Sequence, residues 1–179
     1  GQIGRHALLV LAQGIRAHPL PIVTALTVQD NQHVHAVHPV EPSVLREQAR
    51  VLIGQGTRID AVKIGIIGSA ANAQVIADVI DGLRASRKDL AVVLDPVLAS
   101  GHGDTLTRGD AVQALAPLRK LATLITPNLP EARALCGIDD VGVQANVLLQ
   151  EAPHVLMKGG HGEGDRIVNA WFCAAGRRD

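Results

Sequence analysis

Short aliphatic runs alternate along this chain with stretches whose apolar residues recur at helical spacing. Strands that are buried on both faces form such continuous apolar runs. They are predicted over residues 21–28, 59–64, 90–94, 121–125 and 154–157. Amphipathic helices are predicted between them, over residues 43–53, 72–83, 107–118, 128–136 and 141–151. Repeated strand–helix pairs predict an α/β fold with a mostly parallel sheet and helices on both faces.

Two segments depart from this alternation. Residues 166–173 follow Lys158 through only a Gly-rich turn. Because a parallel crossover needs a longer connection, we expect this segment to pair antiparallel at one edge of the sheet. Residues 32–40 are expected to form another short strand or flap near the other end of the chain.

Helix boundaries can be predicted from cap residues. Ser43 is expected to cap the first helix, which Gly54 would end. Asn128 is expected to cap a later helix, with Pro130 in its first turn and Gly137 at its end.

Composition narrows the possible functions. The length of 179 residues suits one domain with one sizeable core. The formal net charge is zero, which removes the electrostatic case for a nucleic-acid partner. One Trp, one Phe and no Tyr are too few for a base-stacking surface.

The apolar start over residues 7–12 is too short to span a bilayer, so we expect a soluble, cytoplasmic protein. Cys136 and Cys173 are expected to be reduced, buried thiols.

Polar residues and glycines follow the predicted strands, and in an open parallel sheet ligands bind beyond the carboxyl ends of the strands. These residues are Gln29 and Asp30, Gly65 to Gly68, Asp95, Asn128 with Glu131, and Lys158. Carboxylates can hold Mg²⁺ through water, a lysine can neutralise a transferring charge, and glycines let backbone N–H groups approach phosphate. The set therefore predicts a site for an anionic, metal-associated substrate such as a nucleotide phosphate.

Each member of this set also has a purely structural interpretation. Asp95 could simply end a strand, Asn128 could only cap a helix, and Lys158 could only open a hairpin. The sequence contains neither a G-x-x-x-x-G-K-[S/T] motif nor a complete G-x-G-x-x-G motif, so it predicts neither a P-loop protein nor an ordinary dinucleotide binder.

Histidines and a serine give weaker hypotheses. In a strand His33 and His35 would share one face and His38 the other, so a solvated edge strand is favoured over a metal site. His102 and His161 are interpreted as loop residues. Ser100 has no nucleophile-elbow motif, which argues against a serine hydrolase.

Five segments in order resemble a known family. They cover residues 23–30, 60–65 with Gly68 and Ser69, 94–101, 125–132 and 158–161. The chain resembles the hydroxymethylpyrimidine/phosphomethylpyrimidine kinases of thiamine biosynthesis over roughly residues 15–170. The resemblance implies a ribokinase-like three-layer α/β sandwich as a single domain over residues 1–179, which we expect to be incomplete at both ends. It also implies ATP and Mg²⁺ as cofactors, a small pyrimidine as the substrate, and a homodimer as a possible assembly.

The resemblance implies a role for each site residue. The family transfers the γ-phosphate of ATP to the hydroxymethyl group of the pyrimidine and then to the resulting monophosphate. Gln29 would recognise the aminopyrimidine, because an amide offers both a donor and an acceptor. Gly65 and Ile66 would line the pyrimidine slot, with Val97 nearby.

The phosphate end of the site follows in the same way. Asp95, Asn128 and Glu131 would organise phosphate and Mg²⁺, with Asp95 and Glu131 as the metal-associated carboxylates. Lys158 would be the catalytic cation on the transferring phosphate.

Two features of the family are not recognisable in the sequence. One is the N-terminal strand with a Gly-Ile-Gln-Ala-Asp-like stretch, and the other is a Gly-Thr-Gly-Cys-type anion hole. Cys173 has no Gly-Thr-Gly before it and is not assigned to that role. Two alternatives therefore stay open: a pyridoxine/pyridoxal kinase of the same superfamily, and a non-catalytic pyrimidine-binding or regulatory relative.

Overall fold

The structure is a computed structural model that describes residues 17–54, 56–99, 106–107, 109–159 and 167–178. The strands are β1 (Ala25–Gln29), β2 (Val34–Pro39), β3 (Ala61–Ile64), β4 (Ala91–Leu94), β5 (Leu124–Ile125), β6 (His154–Met157), β7 (Ala170–Cys173) and β8 (Gly176–Arg178). The helices are α1 (Pro42–Ile53), α2 (Ala70–Ser86), α3 (Ala111–Leu121), α4 (Leu129–Cys136) and α5 (Val141–Leu148).

A six-stranded sheet in the order β3-β4-β5-β6-β7-β8 forms the centre of the described fold. Strands β3 to β6 run parallel, and β7 and β8 are antiparallel to their neighbours. The predicted mostly parallel sheet and its antiparallel return are therefore confirmed. The edge strand is β8 rather than β7, since the chain turns back once more after Cys173.

Register pairing separates the two faces of this sheet. One face is buried by helices in two apolar clusters. Helices α2 and α3 cover one half of this face, and α4 and α5 cover the other half. Its strand residues include the register partners Ile64, Leu94, Ile125, Val155 and Phe172. The opposite face carries Lys63, Val93, Leu124, His154 and Cys173. These are exposed or half-buried, whereas α2 to α5 all pack on the first face.

Residues 21–28 differ from the sequence prediction of a buried strand in the main sheet. Ordered strand begins only at Ala25, and β1 pairs antiparallel with β2 in a separate two-stranded hairpin. Leu26 and Val28 are exposed there, at 62% and 53%. A β-branched, apolar run indicates an extended backbone but does not show which sheet it joins. The predicted strand or flap over residues 32–40 is confirmed as β2.

Side chains cap most of the helices. The cap predicted at Asn128 is confirmed and forms a capping box with Glu131, and Gly137 ends that helix in the left-handed conformation at φ 67°. Ser69 and Asp110 cap α2 and α3, each accepting a hydrogen bond from a backbone N–H in the first turn. The prediction of Ser43 as a cap is wrong: Glu41 holds that position, and Pro42 begins α1.

Two other sequence predictions concern thiols and membranes. Cys136 and Cys173 are free, as expected, but both are half-buried rather than buried. None of the helices in the part of the chain that the structure describes has the length and apolar character needed to cross a bilayer.

Candidate active site at the carboxyl edge of the sheet

Asp95, Glu131 and Lys158 meet where β4, β5 and β6 end. The Lys158 ammonium donates to Asp95 Oδ1 at 2.6 Å and lies 3.8 Å from Glu131 Oε2. Lys158 is 36% exposed, Asp95 22% and Glu131 9%, so the cation sits in a partly desolvated recess between two carboxylates. Fixed charges in such a recess interact more strongly with a bound anion than they would in bulk water.

Backbone pairing sets the positions of these side chains. Asn128 and Lys158 form a parallel bridge just beyond β5 and β6, and Lys158 N–H donates to the carbonyl of Pro127 at 2.8 Å. The capping box orients Glu131, because its Oε2 accepts from Asn128 N–H at 2.8 Å while its own N–H donates to Asn128 Oδ1 at 2.8 Å. Asn128 therefore holds the Glu131 carboxylate in place and also caps α4.

Two residues that the sequence analysis did not assign also contact Asp95. The ammonium of Lys63 lies 3.4 Å from Asp95 Oδ2, and the hydroxyl of Thr126 lies 3.4 Å from Asp95 Oδ1. Lys63 is the only charged residue in β3, between Val62 and Ile64. A lysine inside an apolar strand, two residues before a glycine turn, is the signal that could have identified it.

Gly159 allows the backbone after Lys158 to pack closely against the segment that precedes β7. A Cβ atom at Gly159 would lie only 1.9 Å from the carbonyl oxygen of Val168, so no other residue fits without movement of the backbone. Gly159 N–H also donates to the side-chain oxygen of Asn169 at 3.1 Å. This close approach fixes the backbone directly after Lys158.

The predicted slot residues Gly65, Ile66 and Val97 lie on the loops next to Asp95. A Cβ at Gly65 would meet no described atom within 4 Å, so the space beside it is open. The carbonyl of Ile66 accepts from the Thr24 hydroxyl at 2.5 Å, which joins this loop to the start of β1. Val97 N–H donates to the carbonyl of Asp95 at 2.8 Å in a tight turn.

Gln29 ends β1 on the hairpin and is exposed. Its Oε1 accepts from the Thr27 hydroxyl at 3.1 Å, so its described side-chain bond stays within its own strand. The structure does not join Gln29 to the Asp95–Lys158 cluster through any described hydrogen bond. The two regions are linked through the Thr24–Ile66 contact at the base of the hairpin.

Asp30 shapes the turn that follows Gln29. Its Oδ2 lies 2.7 Å from His35 Nε2, and its Oδ1 accepts from the N–H groups of Gln32 and His33 at 2.7 Å each. The hydrogen bond from His35, together with those two backbone donors, holds the pKa of Asp30 well below its ordinary value. The Asp30 carboxylate is therefore a structural anion of the hairpin.

The carboxylates suit a magnesium ion shared with a substrate better than a metal held by protein alone. Mg²⁺ usually binds through one or two carboxylates, with water and substrate phosphates completing its shell. Asp95 and Glu131 supply two carboxylates at one edge. In the described ranges, no three His, Cys, Asp or Glu side chains group as a metal site, including those near His33, His35 and His38. Ser100, His102 and His161 lie outside the described residues.

Comparison with known proteins gives one consistent result. A family model described as phosphomethylpyrimidine kinase matches residues 4–178. A hydroxymethylpyrimidine/phosphomethylpyrimidine kinase from Aquifex aeolicus is 35% identical over 158 residues, which cover 84% of this chain and 60% of that protein. A protein of the same name from Rhizobium meliloti is 34% identical, covering 96% of this chain and 65% of its own length. The chain thus spans less than two thirds of these curated relatives.

Solved structures show the same fold. A phosphomethylpyrimidine kinase from Clostridium difficile 630 is 29% identical with a TM-score of 0.80, covering 96% of this chain and 75% of that chain. A Bacillus subtilis pyridoxal kinase solved as an ADP complex is 27% identical with a TM-score of 0.75, covering 93% of this chain and 63% of that chain.

Proposed function

The chain belongs to the phosphomethylpyrimidine kinase family, and we propose that it phosphorylates 4-amino-5-hydroxymethyl-2-methylpyrimidine and then its monophosphate, with ATP as the phosphate donor. The observation that carries this proposal is the Lys158 ammonium, held 2.6 Å from Asp95 and 3.8 Å from Glu131 at the carboxyl edge of the sheet. A lysine between two carboxylates at this edge suits a magnesium-bound phosphate.

Phosphoryl transfer depends on the stabilisation of charge more than on covalent catalysis. The substrate oxygen forms a bond to the γ-phosphorus of ATP, the bond from that phosphorus to the bridging oxygen breaks, and ADP leaves. In the first step the proton of the hydroxymethyl group is released to solvent. Lys158 would contact the transferred phosphoryl group, where negative charge spreads over the equatorial oxygens. Asp95 and Glu131 would hold Mg²⁺, which neutralises phosphate charge when bound, and Asn128 keeps Glu131 oriented.

The pyrimidine would bind between the hairpin and the loop after β3. The open space beside Gly65 offers room for a flat ring, with Ile66 and Val97 as apolar walls. The Gln29 amide would pair with a ring nitrogen and its exocyclic amine, which needs one donor and one acceptor. The Thr27 hydroxyl donates to Oε1 of Gln29, and the second lone pair of this oxygen would accept from the exocyclic amine.

Pyridoxal is a second candidate substrate. The observation in its favour is the fold shared with the Bacillus subtilis pyridoxal kinase at 27% identity. The Gln29 amide favours the pyrimidine, because pyridoxal has no amine beside its ring nitrogen to donate a hydrogen bond to Oε1.

Mass spectrometry of reaction mixtures tests the proposal. The chain is incubated with ATP, Mg²⁺ and the hydroxymethylpyrimidine, and pyridoxal is run alongside. We expect one and then two phosphoryl groups on the pyrimidine, and a smaller yield from pyridoxal. Chelation of Mg²⁺ should abolish both products. Phosphorylation of pyridoxal alone would favour the second candidate, and a folded chain that phosphorylates neither compound would contradict the proposed activity.

A further inference from the structure

Lys63 places a second ammonium group on the carboxylate of Asp95. Lys158 occupies Oδ1 at 2.6 Å, whereas Lys63 approaches Oδ2 at 3.4 Å. Asp95 therefore lies between two cations that come from different strands. With Glu131, the described group contains two lysines and two carboxylates, so it carries no net charge before a ligand binds.

The two lysines are held to different degrees. Lys158 is fixed by its backbone bond to Pro127 and contacts two carboxylates. Lys63 is 54% exposed, and its distance to Asp95 is long for a charge-assisted hydrogen bond. Exposed ion pairs of this kind contribute little stability, so the Lys63 ammonium can exchange Asp95 for a better anion at small cost.

The position of Lys63 suggests which anion this is. Lys63 pairs in register with Val93, and Asp95, directly after β4, lies two residues beyond Val93 on the same side of the chain. Gly65, at the proposed pyrimidine slot, follows Lys63 by two residues. The ammonium thus contacts Asp95 from the strand that leads into the proposed slot.

We propose that Lys63 binds the phosphate group that the monophosphate substrate already carries, and so favours the second phosphorylation. This inference rests on the proposed function. A phosphate monoester offers negative charge and three acceptor oxygens to an ammonium, whereas the hydroxymethyl group of the first substrate is neutral. When Asp95 holds Mg²⁺, less of its charge is left for Lys63, which makes the substrate phosphate the stronger partner.

Calorimetric titration of the chain with each pyrimidine, without nucleotide, tests this assignment. We expect the wild-type chain to bind the monophosphate more tightly than the alcohol. Lys63→Met should weaken binding of the monophosphate by about 10- to 100-fold, the effect of one hydrogen bond to a charged group. It should change binding of the alcohol by less than about twofold. Lys63→Arg should retain most of the affinity for the monophosphate.

A matched control removes a lysine elsewhere. Lys88 is exposed in the turn between α2 and β4, so Lys88→Met lowers the net charge equally without touching the site. Equal affinities of the wild-type chain for the two pyrimidines, or an equal change in both for Lys63→Met, would overturn the role of Lys63. If Lys63→Met does not fold, Lys63→Gln takes its place under the same criteria. A wild-type chain that binds neither pyrimidine would overturn the proposed function, and this inference with it.

Discussion

Lys158 and Asp95 are 63 positions apart in the chain, yet their side chains share a hydrogen bond of 2.6 Å. Parallel pairing of β4 with β5 and of β5 with β6 brings them together, since both residues directly follow their strands. The contact therefore forms as a consequence of strand register. A site built this way is preorganised before any ligand arrives, which is the condition under which fixed charges are most effective.

Replacing Lys158 tests its role as the catalytic cation. Lys158→Met should lower the rate of phosphoryl transfer by at least about 100-fold, because the charge on the transferring phosphate loses a fixed partner. Pyrimidine affinity should be retained, since the ring binds elsewhere. Single-turnover assays and equilibrium binding measure the two quantities separately. Lys120→Met, at the exposed end of α3, is the control, and equal rates for both variants would contradict the assignment.

A methyl group at Gly159 should disturb the backbone that carries Lys158. The Cβ of Gly159→Ala would lie 1.9 Å from the backbone oxygen of Val168. One of the two segments must therefore move, at a cost of about 1–3 kcal/mol in unfolding free energy. The transfer rate should fall as well, because Lys158 would shift relative to Asp95. Denaturant unfolding and the product assay give the two readouts.

Gly82→Ala is the control for Gly159→Ala, and the expected change in its unfolding free energy has the opposite sign. It lies inside α2, and a Cβ there would meet no described atom within 4 Å. Gly82→Ala should raise the unfolding free energy by about 0.5–1 kcal/mol through helix propensity. Should Gly159→Ala prove as stable and active as the unmodified chain, the close approach to Val168 would not constrain the site.

The phosphate end of the site could be predicted from the sequence for a physical reason. Parallel strands place their carboxyl ends along one edge, so the order of strands along the chain was enough to gather Asp95, Asn128, Glu131 and Lys158. The ribokinase-like fold class is likewise confirmed by the solved relatives. Only the proximity of the side chains at the phosphate end is observed. The roles assigned to them, and those assigned to Gln29, Gly65, Ile66 and Val97, stay predictions.

What the sequence could not predict depends on contacts between distant elements. The run before Gln29 has the composition of a buried strand, and only its partner shows that it belongs to an exposed hairpin. The contact of Lys63 with Asp95 could not be predicted for a related reason. The composition of a strand does not show which face of the sheet is covered by helices. The residues on the face that carries Lys63 are exposed or half-buried in the described structure.

Asn72 anchors the hairpin to α2. Its buried amide nitrogen donates to the carbonyls of Thr24 and Val40, at 3.0 and 3.1 Å. Both carbonyls lie at the base of the β1–β2 hairpin, one just before β1 and one just after β2. Asn72→Ala would leave these carbonyls without that donor and should lower the unfolding free energy by about 1–3 kcal/mol. Affinity for the pyrimidine should fall too, since the hairpin carries Gln29.

Asn146 is the matched control, an exposed asparagine on α5. Asn146→Ala should leave stability within about 0.5 kcal/mol of the unmodified chain. Hydrogen exchange at the hairpin amides distinguishes local release from global loss. Unchanged exchange in Asn72→Ala would show that the hairpin is held by other contacts.

The turn around Asp30 should be stable to acid. Because the hydrogen bond from His35 lowers the pKa of Asp30 in the folded hairpin, this carboxylate favours folding above its ordinary pKa. That contribution declines as the pH falls below the ordinary value of 3.8 and is gone once the pH is below the lowered value. The amide resonances of Gln32 and His33, which donate to Asp30, should therefore keep their shifts at pH 4 and move only in stronger acid. Asp30→Asn, which removes the titrating group, should abolish that movement. A midpoint near 3.8, the ordinary value for aspartate, would show that His35 does not hold the carboxylate in solution.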